Sequence, residues 1–294
     1  MLLLVPADPL RGARPDPHWA REYEAALALG LDVALLDHDA AERGDAAAAV
    51  HRVPASADVV YRGWMLTAGQ YAGVAGALAG RGARLRTSPD AFRAAHELPG
   101  WAPTFEGLTP DTAVADGFDR PAFEAALDRL GPGAAVLRDH VKSAKQDWET
   151  ACFVPEASDR ERAWRVAQNL IRIRGDHAVG GLVARRFEEL TGPELRSWWV
   201  DGALVCIGAH PDEPDADTPG GKGVAACDES PRDPALVAFL EAIGVRVRGL
   251  GLPFVTVDLA RGADRWWVIE LGDGQVSDLR RDADPRVLLR ALAE

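Results

Sequence analysis

The chain has 294 residues, 47% of them hydrophobic, which supports two or three packed lobes and excludes a disordered polymer. Its net charge of −12 argues against a general nucleic-acid or acidic-membrane surface, because either requires an extended basic face. Any anion site must be local, and screening over roughly 10 Å at ~0.1 M salt lets a small basic pocket hold phosphate despite the acidic total.

The opening Met1-Leu2-Leu3-Leu4-Val5 runs into Pro6 and Asp8. It is too short for a signal segment or a membrane span and is expected to be the first strand. A helix over 17–29 follows, started by Asp16 before Pro17, since aspartate caps free N–H groups and proline suits the first helical position. Strands at 33–36 and 59–61, a helix at 67–79 and another opening at Ser88-Pro89 complete an α/β pattern. Arg62 ends the third of these strands, at the carboxyl edge where open α/β sheets bind ligands; a fork onto a substrate carboxylate and a structural ion pair are both open to it.

Residues 98–119, with several prolines and glycines, read as a linker. Beyond it the pattern predicts a helix at 121–130, strands at 134–138 and 151–154, and a helix at 158–172 started by a capping box of Ser158 and Glu161. Residues 179–183 lead to a hairpin, 197–200 and 203–207, turned at Asp201-Gly202. Glycine, proline and acid crowd 210–223, which reads as a mobile surface loop. A helix at 234–243, strands at 254–259 and 266–271 and a helix at 285–292 close the chain. The cysteines, Cys152, Cys206 and Cys227, form no CxxC pair and their odd number cannot close a complete disulfide set, so a reduced, cytoplasmic protein is expected.

Two constellations carry chemistry. Arg138 ends an apolar strand, and Lys142 and Lys145 lie on the loop leaving it, so three cations can converge on a polyanion. Far downstream, Asp258 and Glu270 sit on adjacent strands. A five-residue loop over 261–265 pairs Asp258 with Val268 and puts Glu270 on the same face one diagonal away, roughly 7–8 Å between Cα atoms; a four-residue loop puts the two acids on opposite faces. Carboxylates on one face suit Mg²⁺, which prefers a few such oxygens plus phosphate and water.

With Val59 to Trp64, Leu182 to Phe187, Glu194-Leu195-Arg196 and Val268 to Gln275, these segments resemble the ATP-grasp superfamily, in particular the clade in which an arginine and two lysines replace the glycine-rich phosphate loop. The resemblance implies a three-lobe α/β fold of residues 1–95, 96–183 and 184–294, with MgATP between the last two lobes, while the acidic charge balance leads to the expectation of no nucleic-acid or membrane partner. It places Arg138, Lys142 and Lys145 on the phosphates, and Ala184, Arg185, Arg186 and Phe187 at the adenine hinge, with Glu188 or Glu189 toward the ribose. Arg196 falls on the transferred phosphate or the substrate, and Asp258 and Glu270 on the metal. The family's third metal ligand is an asparagine where this chain has Gly272; the adjacent Asp273 is the substitute candidate. Arg62, Gln275 and Ser277 are expected near the acceptor.

The activity implied is ATP-dependent ligation of a small-molecule or peptide carboxylate to an amine through an acylphosphate. A nucleotide-binding protein with reduced catalysis and a small-molecule kinase are the alternatives. Gly221-Lys222-Gly223 lacks P-loop spacing, Asp215 and Asp217 begin but do not complete a calcium loop, and no HExxH or GxSxG is present.

Overall fold

A computed structural model describes residues 1–213 and 233–294. Asp215, Asp217, Gly221-Lys222-Gly223 and the 210–223 loop beyond Glu213 lie outside the described residues. Three four-stranded sheets follow one another along the chain. By internal contacts the chain divides into one unit of 1–95, 193–259 and 270–294 and a second of 96–192 and 260–269.

The first sheet is parallel, β1 (Leu2–Pro6), β2 (Asp32–Leu36), β3 (Ser56–Tyr61) and β4 (Ala83–Leu85), in the order β2-β1-β3-β4. Leu2 and Leu4 pack into one core with Tyr61 and Val74, while Leu3 and Val5 pack into another with Trp19 and Ala26. That two-sided burial is why β1 is apolar without alternation. The helix Ala68–Gly80 starts with a reciprocal Thr67–Gln70 capping box. At Asp16 expectation and structure differ. Its carboxylate accepts from His18 N–H at 2.8 Å and its carbonyl from Trp19 N–H, so 16–19 is a turn and the helix spans Ala20–Ala28.

The second sheet is antiparallel, β5 (Thr112–Val114), β6 (Ala135–Asp139), β7 (Phe153–Val154) and β8 (Leu182–Arg186), ordered β5-β8-β6-β7. The linker reading of 98–119 overlooks β5, three residues too short to show a period. The helix Arg160–Arg174 is capped by Asp159, which accepts from Arg162 N–H at 3.0 Å, and not by Ser158. The capping acid is one residue nearer than the box motif suggests.

The third sheet holds β9 (Leu195–Val200), β10 (Ala203–Ala209), β11 (Phe254–Arg261) and β12 (Trp266–Asp273), ordered β10-β9-β11-β12. Asp201 and Gly202 form the expected tight turn, both with positive φ, 46° and 76°. Within the first unit Val60 of β3 shares a core with Trp198, Phe254, Leu288 and Leu292. Cys152 is free and buried, and Cys227 lies outside the described residues. Among the described residues no helix is long and apolar enough to cross a membrane.

Candidate active site

In the second unit Arg138 and Asp139 end β6, in register with Val183 and Leu182 of β8. Asp139, wholly buried, organises the turn that follows. Its Oδ1 accepts from Val141 N–H at 2.7 Å and Lys142 N–H at 2.6 Å, and its Oδ2 from Arg174 Nε at 2.8 Å. The Arg138 guanidinium folds over the same turn, donating to the Val141 carbonyl and, at 3.3 Å, to the Asp139 carbonyl. Lys142 and Lys145 are exposed, Lys145 on a short 3₁₀ turn. Asp139 was not singled out from the sequence, although an acid three residues before the first lysine is the spacing of an Asp-closed turn. Asp139→Ala is expected to cost about 2–3 kcal/mol, because it strands the buried Val141 N–H, the part-buried Lys142 N–H and the Arg174 head. Chemical denaturation checks the stability, and faster hydrogen exchange at Val141 and Lys142 checks the cause.

At the hinge, Ala184, Arg185 and Arg186 lie inside β8, paired on both sides with β5 and β6. Arg185 is buried and donates to Ile269 O at 2.7 Å and to Thr109 Oγ1 at 2.6 Å. β8 ends at Arg186, Phe187 N–H still donates to the Ala134 carbonyl at 3.0 Å, and Glu188 and Glu189 lie outside strand pairing before the Leu190 bridge, which narrows the stretch open to an adenine edge. Burial, then Asp111, pushes the Glu188 carboxyl above its ordinary range. Phe187 meets Phe153 at 5.1 Å and Trp148 at 6.2 Å between ring centroids, and Trp148 stacks on Phe153 at 5.6 Å. No periodicity in the sequence singles out this half-buried aromatic wall, since it is assembled from β7 and an irregular helical turn.

The acidic pair lies in the first unit. Arg196 of β9 is directly opposite Asp258 of β11, donating through Nε and Nη2 to both carboxylate oxygens at 2.8 Å. Burial would depress the Arg196 pKa, but Asp258, and after it Glu270 and Glu194, outweigh it and push it up. In the β11–β12 hairpin the connection is four residues, 262–265, and not the expected five-residue loop, and in an unbroken register it would put Asp258 and Glu270 on opposite faces. At its tip Gly262 N–H donates to Arg265 O at 2.8 Å, and a register that carried straight on would oppose Asp258 to Ile269. At its base Gly274 N–H donates to Phe254 O, and Gly272 abuts Thr256. The register therefore shifts by one residue. The shift falls at Val268–Ile269, whose successive carbonyls both turn outward, to Thr109 Oγ1 at 2.8 Å and to Arg185. Past this bulge Glu270 comes opposite Asp258.

His210 lies against the same acid, with Nε2 at 3.6 Å from Asp258 Oδ2 and at 2.6 Å from Arg196 Nη2. Glu194, His210 and Asp258 bring one ligand atom each within 4.8 Å of one another. Neither Glu194 as a ligand nor His210 was drawn from the sequence, where no paired metal spacing marks them.

The remaining expected residues are committed inward. Asp273 is fully buried; burial pushes its pKa up to about 7 against the opposing bonds from Gln275, whose N–H donates to it at 2.7 Å. A Cβ at Gly272 would stand 2.9 Å from Thr256 Oγ1 and 3.2 Å from Ser277 Oγ, so no asparagine fits there without rearrangement. Gln275 is buried between Tyr71 Oη, at 2.9 Å from its Nε2, and Tyr61 N–H. Ser277 Oγ meets Thr256 Oγ1 at 2.8 Å and donates to Asp273 O at 3.0 Å. Arg62, with no exposed surface, takes the ion-pair alternative. Nε and Nη2 donate to the two oxygens of Glu22 at 2.7 and 2.6 Å, and Nη1 donates to Ser277 O at 2.8 Å and to Gly274 O.

Comparison with solved structures gives the class of fold first. The chain superposes on the RimK domain protein ATP-grasp from Sphaerobacter thermophilus DSM 20745 with a TM-score of 0.60 at 16% identity over the whole of both chains. D-cycloserine synthetase DcsG gives 0.62 at 19% identity over all of this chain and 99% of that one, and D-alanine–D-alanine ligase from Bacillus anthracis, complexed with ATP, gives 0.60 at 14% over 99% and 95%. The fold is the ATP-grasp fold. A sequence profile of the ATP-grasp domain, the third family of the clade named for its one arginine and two lysines, matches residues 129–292, more than half of the chain, and the chain belongs to that family. No curated protein matches it in sequence.

Proposed function

We propose that the protein is an ATP-dependent carbon–nitrogen ligase that joins a carboxylate to an amine. The observation that carries this reading is Asp258 directly opposite Arg196 on neighbouring strands and bonded to it through both oxygens, with Glu270 on the next strand adding to the negative field on the same arginine. Family membership and the presence of ligases among proteins of the same fold support it. Two hard carboxylates on one face fit Mg²⁺, and a carboxylate bound to arginine keeps lone pairs for a metal. Bound magnesium would offset polyphosphate charge. Asp273 is left out of this set, because its carboxylate is enclosed by Gln275.

In the proposed reaction a substrate carboxylate oxygen attacks the γ-phosphorus and ADP departs, leaving an acylphosphate. The amine nitrogen then attacks the acyl carbon, loses its proton, and phosphate leaves. Arg138, Lys142 and Lys145 neutralise the nucleotide phosphates, Arg196 meets the transferred group, and Phe187 to Glu189 offer backbone groups to the adenine. Such chemistry is chiefly positioning and charge stabilisation. The steric closure at Gly272 favours one alternative, a nucleotide-binding protein with reduced turnover, because a third oxygen ligand has no place there.

ADP release with pooled amino acids and amines, followed by mass spectrometry, separates the readings. An amide product with ADP supports ligation, and hydroxylamine should trap a hydroxamate when acid is present without amine. AMP with pyrophosphate, or a stable phosphate ester, overturns it; binding without turnover favours the reduced protein. Arg138→Ala with Lys142→Ala is expected to weaken ATP at least tenfold, about 1.4 kcal/mol, by calorimetric titration.

A further inference from the structure

The residues expected at the acceptor, Arg62, Gln275 and Ser277, are buried and bonded to the protein, whereas the residues that directly follow Gly63 after Arg62 are partly exposed. In the first sheet the chain leaves β1 toward β2 on one side and β3 on the other, so the crevice beyond the carboxyl ends of β1 and β3 is a topological switch point, where open α/β sheets take ligands. The loop after β3 brings Trp64 and Met65 there, 37% and 38% exposed. The loop after β1 brings Asp16, His18 and Trp19. His18 lies against Trp64, ring centroids 4.6 Å apart, and Trp19 meets Trp64 edge-on at 5.7 Å.

Acids frame these rings. Asp16 Oδ2 accepts from Trp64 Nε1 at 3.2 Å, fixing the indole, and Asp278 Oδ1 contacts His18 Nε2 at 2.7 Å. Asp278 is half exposed, and its second oxygen has no partner among the described residues. The positive charge directly beneath, Arg62, is already matched by Glu22. The crevice also adjoins the acidic pair, because Arg196, held by Asp258, donates through Nη1 to the carbonyl of Asp278 at 3.3 Å.

Resting on the ligase reading for its purpose, we infer that this crevice binds the amine substrate as an ammonium ion on an apolar stem, with Asp278 against the charge and Trp64 and Met65 against the stem. An indole face attracts cations and a carboxylate completes the pairing. Asp278 links recognition to reaction, since its side chain faces the crevice cluster while its carbonyl is tied to Arg196.

The test uses the full chain without nucleotide and phenethylamine as the probe, with phenylacetate as its oppositely charged counterpart. Saturation-transfer NMR at millimolar concentration should show phenethylamine bound and phenylacetate not. Trp64→Ala and Asp278→Asn should each weaken phenethylamine at least fivefold while leaving thermal stability and ATP affinity unchanged. Undiminished binding to both variants, or no binding of phenethylamine to the wild type, overturns the assignment. Preferred binding of phenylacetate also overturns it and hands the crevice to the exposed Arg11 and Arg14 of the same loop. Because the readout needs no turnover, an absence of ligation with phenethylamine still bound would sink the ligase reading and leave the cation site standing.

Discussion

Arg62→Ala is expected to destabilise the protein by about 3–5 kcal/mol, the cost of leaving a buried carboxylate without its partner. The guanidinium is enclosed by Trp19, Trp198 and Phe254, at 5.0, 5.2 and 5.9 Å from their ring centroids, and every contact it makes is with the protein. Its removal strands Glu22, which is 8% exposed at the side chain, and releases the carbonyls of Gly274 and Ser277. Lysine cannot replace it, having no planar fork to meet both Glu22 oxygens. Adding Glu22→Gln to Arg62→Ala should recover part of the loss by removing the orphaned charge. Chemical denaturation of the two single variants and the double variant measures this; a loss under about 1 kcal/mol for Arg62→Ala would show that the ion pair does not hold the fold.

Asp258→Asn and Glu270→Gln are expected to abolish turnover, by a factor of roughly 10² or more, since neutral amides cannot balance the charge of a divalent cation. The two should separate in stability. Asp258 is 3% exposed and gives both oxygens to Arg196, so its loss leaves a buried guanidinium half paired and costs on the order of 2–3 kcal/mol. Glu270 is half-buried and should be replaced at less cost. Turnover and urea midpoints on the same preparations check both halves. Retained activity in either variant would remove it from the metal and phosphate chemistry.

Much of this architecture is legible in the sequence. Strands β1, β9 and β10 announce themselves by apolar content and by Asp201-Gly202, because a positive-φ pair between apolar runs has few other uses. What escaped is decided by partners distant along the chain. Arg62 at a strand end reads equally as a substrate fork or an ion pair, and only Glu22, 40 residues earlier, decides. Gln275 and Ser277 look like surface polar residues after a glycine turn, but Tyr71, Thr256 and Asp273 enclose them. The short β5 has no period of its own and exists because β8 offers an edge.

The bulge at Val268–Ile269 has a bearing on how this chain tolerates changes in length. Side chains alternate along a strand, so one residue added or lost between the bulge and Glu270 would turn that carboxylate to the opposite face from Asp258. The tip of the hairpin, around Ala263 and Asp264, lies on the other side of the bulge. There the backbone of Val268 and Ile269, held by Leu108, Thr109 and Arg185, insulates the acids from the turn. Insertions and deletions in the turn are thus compatible with a working acid pair, and a single-residue change a few positions further on is not.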